Sequence, residues 1–310
     1  MLRSTLLWLS RRHALMRAVT RRSLPRAFAR RFVAGETPDH AVSAVRGVNA
    51  RGMSATLDLL GESVTAKAEA VAARDQILRM VDRIVADGLN ANVSVKLTQL
   101  GLDVDPEVCR ANMLAILERA APPRIFVRVD MEGSPHTERT LRLFREHLHP
   151  RFGDLVGVVI QSMLRRSDRD VEDLIRIGAR VRLVKGAYAE SHQIAYPDKR
   201  DVDAAFARQA ERLLTANCYP AIATHDDRLI AAAKRYAHER GCGPERFEFQ
   251  MLYGVRRDLQ ERLRADGYRV RVYIPFGTNW YPYLMRRLAE RPANIAFITG
   301  SVIKEALARK

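Results

Sequence analysis

VGVVIQSMLRRSDRDVEDLIRIGARVRLVKG, from Val156 to Gly186, decides the fold. It opens on an apolar run with its core at 157–161. It then passes through the helical pattern DVEDLIRIG (170–178) and returns to a second apolar run, VRLVKG (181–186). Runs of Val and Ile without polar alternation read as strands buried on both faces, and a helix between two such runs makes them parallel neighbours. The same unit recurs in both directions along the chain. The further runs are SATLDLLG (54–61), VSVKL (93–97), IFVRVD (125–130), AIATHD (221–226), FEFQML (247–252) and VRVYIP (270–275). Helical patterns at 106–120, 203–217 and 227–240 separate several of them. Eight such units predict an α/β fold, a (β/α)8 TIM-type barrel, rather than an open sheet. A ninth run, NIAFITG (294–300), is left out of the barrel because its end offers only Thr299. Each of the eight carries a polar group at or near its C-terminal end: Asp58, Lys96, Asp130, Gln161, Lys185, His225, Gln250 and Tyr273. In a barrel those ends face the catalytic mouth.

Charge is distributed unevenly along the chain. The 310 residues hold 52 Lys and Arg against 36 Asp and Glu, a formal charge of +16. Nine arginines (Arg3, Arg11, Arg12, Arg17, Arg21, Arg22, Arg26, Arg30 and Arg31) fall before the first acid, Glu36, so +9 lies in residues 1–35 and +7 in the remainder. A basic face would point to nucleic acid; this distribution points to an arm. The sequence therefore divides into a basic N-terminal arm at 1–45, expected to be helical, and a barrel domain at 46–310. The arm is open to three readings: a transit peptide, a segment lying on an anionic membrane surface, or a solvated helix. A hydrophobic fraction of 47% excludes a disordered chain, and no run is long enough to span a bilayer. Cys109, Cys218 and Cys242 are odd in number and lack CxxC spacing, which fits a reducing compartment.

The predicted mouth lacks HxH and HExxH spacings, so no metal is expected there, and it lacks GxSxG, GxGxxG and P-loop signatures. It is rich in cations suited to carboxylate or phosphate: Lys96, Arg182, Lys185, Arg286 and Arg287. YPYLMRRLAER (281–291) reads as a helix after the eighth strand, with Tyr283 within reach of either arginine. Adjacent residues lie about 100° apart around a helix. Arg286 and Arg287 can grip one anion only if this helix crosses the mouth; otherwise one is solvated and the other pairs with Glu290. Taken singly, the remaining residues also fit ordinary structural roles. Lys185–Gly186 fits a strand-end turn, His225–Asp226 a turn pair, Asp130 a cap and Tyr273 barrel packing.

Taken together, the motifs are more specific. SVKLTQLG (94–101), VRVDMEGS (127–134), VIQSMLRRSDRD (159–170), RLVKGAY (182–188), ATHD (223–226), EFQMLYGV (248–255) and VYIPFGTNWYPYLMRRLAERPAN (272–294) occur in order on the expected strands. Over about Gly52–Asn294 the chain resembles the monofunctional flavin-dependent proline dehydrogenases. The resemblance implies a barrel that binds FAD and oxidises L-proline to Δ1-pyrroline-5-carboxylate, with the last helix over the mouth. Arg286 and Arg287 match the family's carboxylate clamp and Lys96 a lysine that also reaches the carboxylate. Tyr273, Tyr283, Leu183, Ala187 and Leu252 match walls of the proline site. Asp130 and Arg182 match catalytic positions, the arginine near flavin N5. Met131, Gln161, Arg182, Lys185, Gly186, Ala187, Thr224 and His225 match flavin contacts, with Gln250 and Glu290 as weaker matches.

The resemblance further implies hydride transfer from the ring carbon beside nitrogen to flavin N5, then electron delivery to membrane quinone. The residues leave open which group takes the amine proton, Asp130 with Tyr273 or solvent. A separate pyrroline-5-carboxylate dehydrogenase is expected, since the chain is too short to hold a fused one. The expected location is cytoplasmic at the inner membrane face, with a mitochondrial location the weaker alternative and no nucleic-acid partner. Two other functions compete: a methylenetetrahydrofolate-reductase-like flavin barrel, and a basic nucleic-acid or membrane module.

Overall fold

The computed structural model describes residues 29–216 and 218–290, without the side chains of residues 286 and 288–290. The first 28 residues of the arm, the run 294–300 and the side chains of Arg286 and Glu290 lie outside the described residues. The barrel is present as expected. Strands β1 (Ser54–Leu59), β2 (Ala91–Val95), β3 (Val127–Val129), β4 (Val156–Gln161), β5 (Arg180–Val184), β6 (Ala221–Ala223), β7 (Glu248–Leu252) and β8 (Val270–Phe276) pair in sequence order. All pairs are parallel, and β8 returns to β1 with Tyr273 beside Thr56.

Helices α2 (Lys67–Ala86), α3 (Pro106–Ala120), α4 (Ser134–Leu143), α5 (His149–Phe152), α6 (Ser167–Arg176), α7 (Lys199–Thr215), α8 (Asp227–Glu239) and α9 (Arg257–Ala265) connect successive strands. Local chemistry sets their ends. Asp105 accepts the backbone N–H of Glu107 at 2.9 Å ahead of Pro106, and Asp226 accepts that of Arg228 at 3.1 Å. The helix expected at 170–178 starts earlier, because the Ser167 hydroxyl donates to the Gln161 carbonyl at 2.6 Å and draws the turn in. It also stops before Gly178, whose φ of +70° supplies the left-handed residue past the helix end.

The expected boundary at residue 45 falls within a helix. Helix α1 (Pro38–Asn49) runs through it and buries Ala41, Val42, Val45 and Val48 in the main core against β8 and β1. It fills the place in the outer ring that a helix after β8 would take. The last helix, α10 (Trp280–Glu290), lies elsewhere. Trp280, Tyr281, Tyr283, Leu284 and Met285 pack with Leu60 and with Ala29, Phe32 and Val33 in a second cluster. The segment before α1 is tied to the same end of the barrel. Ala34 donates its N–H to the Pro275 carbonyl at 2.9 Å, Gly277 donates to the Gly35 carbonyl at 2.9 Å, and Trp280 Nε1 donates to Glu36 at 3.1 Å.

Inside the barrel the usual aliphatic layers are replaced by polar ones. Cross-barrel bonds between non-neighbouring strands show which side chains point inward. Arg182 of β5 reaches Asp130 after β3, and Arg128 of β3 reaches the Arg180 carbonyl. Period-two alternation therefore sends Leu183 outward, where it is fully buried in the aliphatic core between strand and helices. Gly157 makes room for this interior. A Cβ there would lie 2.4 Å from the Arg180 carbonyl oxygen and 2.5 Å from Arg128 Nη1. Gly157→Ala is expected to lower stability by about 1–3 kcal/mol through overpacking. Gly47→Ala, on an open face of α1 with nothing within 4 Å of the added carbon, is expected to raise it by about 0.5–1 kcal/mol. Thermal denaturation of the two variants checks both signs.

Candidate active site

The strand ends converge on Asp130. One of its oxygens accepts Arg182 Nη1 at 2.7 Å and the Ser94 hydroxyl at 2.6 Å. The other accepts the Tyr273 hydroxyl at 2.8 Å and Lys96 Nζ at 3.1 Å. Lys96 Nζ also donates to Asp58 at 2.8 Å and to Tyr273 at 3.4 Å. Arg182 Nε donates to Gln250 Oε1 at 2.5 Å, and its guanidinium lies 5.1 Å from the Tyr273 ring centroid.

All these groups are removed from water, so their charges act strongly on one another. Burial alone would raise the Asp130 pKa, but Lys96 and Arg182 outweigh it and hold the carboxyl below its ordinary value. Asp58 shifts the other way: burial dominates, Asp130 adds to it, and Lys96 only partly opposes them. Lys96 is held well above the ordinary lysine value, since Asp58, Tyr273 and Asp130 overcome the effect of burial. Burial, with Asp130 and Asp58 nearby, pushes the Tyr273 phenol well up. At neutral pH the cluster therefore holds a protonated lysine, a neutral tyrosine and an ionised Asp130.

A cavity of about 770 Å³ opens above this cluster, within the size range of ligand sites. Its near end is lined by Asp58, Lys96, Asp130, Arg182, Leu252, Tyr273, Tyr283 and Arg287. Tyr283 and Arg287 come from α10, which places that helix over the mouth, with the Arg287 guanidinium 5.3 Å from the Tyr283 ring centroid. Met131, Gln161, Gly186, Ala187, Thr224, His225 and Gln250 line its walls, and Lys185 stands beside them. Leu183 is the one described candidate that the fold turns away, for the reason of strand alternation.

Two candidates have other partners than the sequence suggested. Lys96 is shared between two carboxylates and a phenol, so its charge is compensated within the barrel. Lys185 lies between Asp203 at 2.5 Å and Asp226 at 3.0 Å, with Lys199 joining the same pair of acids. The wall around it is tightly built. Gly186 has a φ of +109°, and a Cβ there would meet the Met163 sulfur at 2.5 Å. His225 Nε2 accepts the Leu252 N–H at 2.9 Å, which places the ring proton on Nδ1, and Gln161 Nε2 donates to the Glu132 carbonyl at 2.8 Å.

The structure adds three residues that the candidate set omitted: Asp58 and Ser94 join the cluster around Asp130, and Glu248 lies beneath it. Asp58 was visible as a strand-end acid, whereas Ser94 and Glu248 lie below the strand ends and gave no signal. The cavity also runs on past His192 and Tyr196, on the connection between β5 and α7, to Lys199 at the start of α7.

Residues 41–300 match the family described as Proline dehydrogenase. The chain belongs to the proline dehydrogenase family. It is 41% identical over 305 residues to Proline dehydrogenase 1 of Bacillus subtilis, covering 98% of this chain and 100% of that protein. It is 40% identical over 279 residues to Proline dehydrogenase of Deinococcus radiodurans, covering 89% and 90%. Among solved structures, proline utilization A from Bdellovibrio bacteriovorus inactivated by N-propargylglycine superposes with a TM-score of 0.81 at 29% identity. That match covers 90% of this chain but 34% of the longer one. The chain is thus an oxidoreductase of a flavin-dependent family with the (β/α)8 fold. Among the described residues no group of His, Cys, Asp and Glu could hold a metal ion, and no helix is long and apolar enough to cross a membrane.

Deeper in the barrel Arg271 holds Glu248 at 2.9 Å, and this pairing overcomes burial to bring the Glu248 pKa from 4.5 down to about 2. A carboxyl depressed on folding contributes stability above its unfolded pKa and loses it as pH falls toward its folded one. Chemical denaturation between about pH 5 and pH 2 is therefore expected to show declining stability from this group. Arg271→Met is expected to remove that decline, because the unpaired Glu248 then binds its proton before the acid range is reached.

Proposed function

We propose that the enzyme oxidises L-proline to Δ1-pyrroline-5-carboxylate with FAD as its flavin. The observation that carries this reading is the meeting of the α10 pair Tyr283–Arg287 with the Asp130–Lys96–Arg182–Tyr273 cluster in one cavity. Two buried polar atoms at its floor, Arg182 Nη2 and Asp58 Oδ2, have no hydrogen-bond partner among the described residues. Buried polar atoms of this kind normally find a partner, so they suit a polar ligand. The polar wall at Gln161, Thr224 and His225, with the close-packed turn at Gly186, fits the flavin; Lys185 suits its pyrophosphate once shared with Asp203 and Asp226. When bound, the flavin supplies the acceptor for the hydride leaving the ring carbon beside nitrogen.

The chain's own residues do the remaining work. Arg287, with its neighbour Arg286, takes the proline carboxylate through planar N–H donors, and Tyr273, Tyr283 and Leu252 wall the ring. Lys96 acts through the acids it holds rather than as a separate carboxylate ligand. Asp130 already accepts four donors and has a depressed pKa, so it anchors Arg182 instead of taking the amine proton. Asp58 is the better proton acceptor in the cavity, with a raised pKa and an oxygen that no described residue donates to.

The electrons pass to membrane quinone, and the basic residues of the arm bring the enzyme to the cytoplasmic membrane face. A separate dehydrogenase takes the product. Anaerobic addition of L-proline is expected to bleach the flavin absorbance of the purified protein; an oxidised spectrum at saturating proline overturns the reading. Arg287→Lys is expected to raise the KM for proline by about 10–100-fold with flavin retained, since an ammonium lacks the planar fork. Removal of residues 1–28 is expected to abolish sedimentation with anionic liposomes while leaving the Phe32–Val33 packing on α10.

A further inference from the structure

Glu248 lies beneath the cavity, 3% exposed and outside its lining. Its Oε1 accepts both Arg271 Nε at 2.9 Å and Gln250 Nε2 at 2.5 Å, and its Oε2 accepts Arg271 Nε at 3.1 Å and the Tyr219 hydroxyl at 3.4 Å. Gln250 then turns its other amide atom, Oε1, to Arg182 Nε at 2.5 Å, and Arg182 Nη1 meets Asp130 at 2.7 Å. The sequence of donors and acceptors has only one consistent direction. A carboxylate can only accept, an arginine can only donate, and an amide does one on each side. Glu248 therefore decides which way the Gln250 amide faces, and that choice decides whether Arg182 finds an acceptor. Arg271 is itself anchored, donating Nη1 to the Ala55 carbonyl at 2.9 Å.

We propose that Glu248 is a positioning residue for Arg182, acting through the orientation of the Gln250 amide, with Arg271 as its anchor. This rests on the reading of Arg182 as the guanidinium that faces the flavin. In Glu248→Leu no atom at position 248 accepts the Gln250 NH2. Gln250 then loses the bond that fixes its amide, and its Oε1 is no longer held in place for Arg182 Nε. Arg182 then swings away from Asp130. Asp130 is faced by Ser94 of β2 and Lys96 just after it, Arg182 from β5 and Tyr273 from β8, with Asp58 of β1 across Lys96. Losing one of its two cations raises its pKa.

The test compares flavin-loaded wild type and Glu248→Leu by crystal structure and by the pH dependence of kcat/KM. The expected result is loss of the Arg182–Asp130 bond and an acidic limb moved to higher pH. Alongside these, kcat is expected to fall about 100–1,000-fold, as on removal of one preorganised donor. An unmoved Arg182 with an unmoved acidic limb overturns the proposal. Glu248→Gln/Gln250→Glu completes the pattern again, because the carboxylate at position 250 accepts from both the amide at position 248 and Arg182, and the net charge is unchanged. Its structure is expected to show Arg182 back on Asp130, whether or not the single variant folds; a displaced Arg182 or an unfolded double variant overturns the proposal. The crystallographic readout needs no turnover, so a wild-type enzyme inert to proline would count against the proposed function alone.

Discussion

The Asp130 carboxylate, buried between Lys96 and Arg182, is the constraint on which the site depends. An ion moved from water into a protein interior costs several kcal/mol even after relaxation, and only close, well-bonded partners offset that cost. Asp130 meets the requirement with four donors drawn from β2, β5 and β8. Those donors come from strands that are not neighbours, so the cluster also fixes how the strand ends stand relative to one another across the barrel. Below it, Glu248 with Arg271, and Arg128 with backbone carbonyls of β4 and β5, extend a polar interior toward the other end. Arg128 is fully buried, and burial with Arg182 and Arg180 nearby pushes its pKa well below the ordinary value.

This interior changes the meaning of the cationic mouth. A cation at a strand end suggests an anion site, yet Lys96 and Lys185 spend their charge on acids of the chain itself. Lys96 serves Asp58 and Asp130, and Lys185 serves Asp203 and Asp226. Both lysines also line the cavity, so these acids set how much of the lysine charge is left for a ligand. The same logic separates the two acids. Asp130 has two cations and a depressed pKa; Asp58 has one and a raised pKa. Two carboxylates a single lysine apart are thereby suited to different tasks, one holding an arginine and one accepting a proton.

The second organising feature is the displacement of α10. Removing the last helix from the outer ring would expose apolar surface on β8 and β1. Helix α1 covers that surface from the other end of the sequence, and the segment from Ala29 to Glu36 packs on α10 itself. The chain on both sides of the barrel thus contributes to the placing of Arg287, and residues 29–53 pack with the barrel.

Much of the fold was legible in the sequence. Eight Val- and Ile-rich runs separated by helical patterns can be satisfied only by a parallel sheet buried on both faces, and local propensity and turn chemistry set nearly all the boundaries. The candidate site was legible as a series of polar strand ends, because barrel geometry gathers those ends whatever the residues are. Three things needed the tertiary structure. Leu183 sits beside Arg182 in the motif, but strand pleating turns it to the helices. The tasks of Lys96 and Lys185 depended on acids that are distant in sequence and adjacent only across the barrel. The part played by Glu248 arises from a donor–acceptor order running through three strands. Sequence determined which groups were available, because periodicity and strand ends are local properties; only the closed barrel decided which charges compensate one another, because pairing across its interior is non-local.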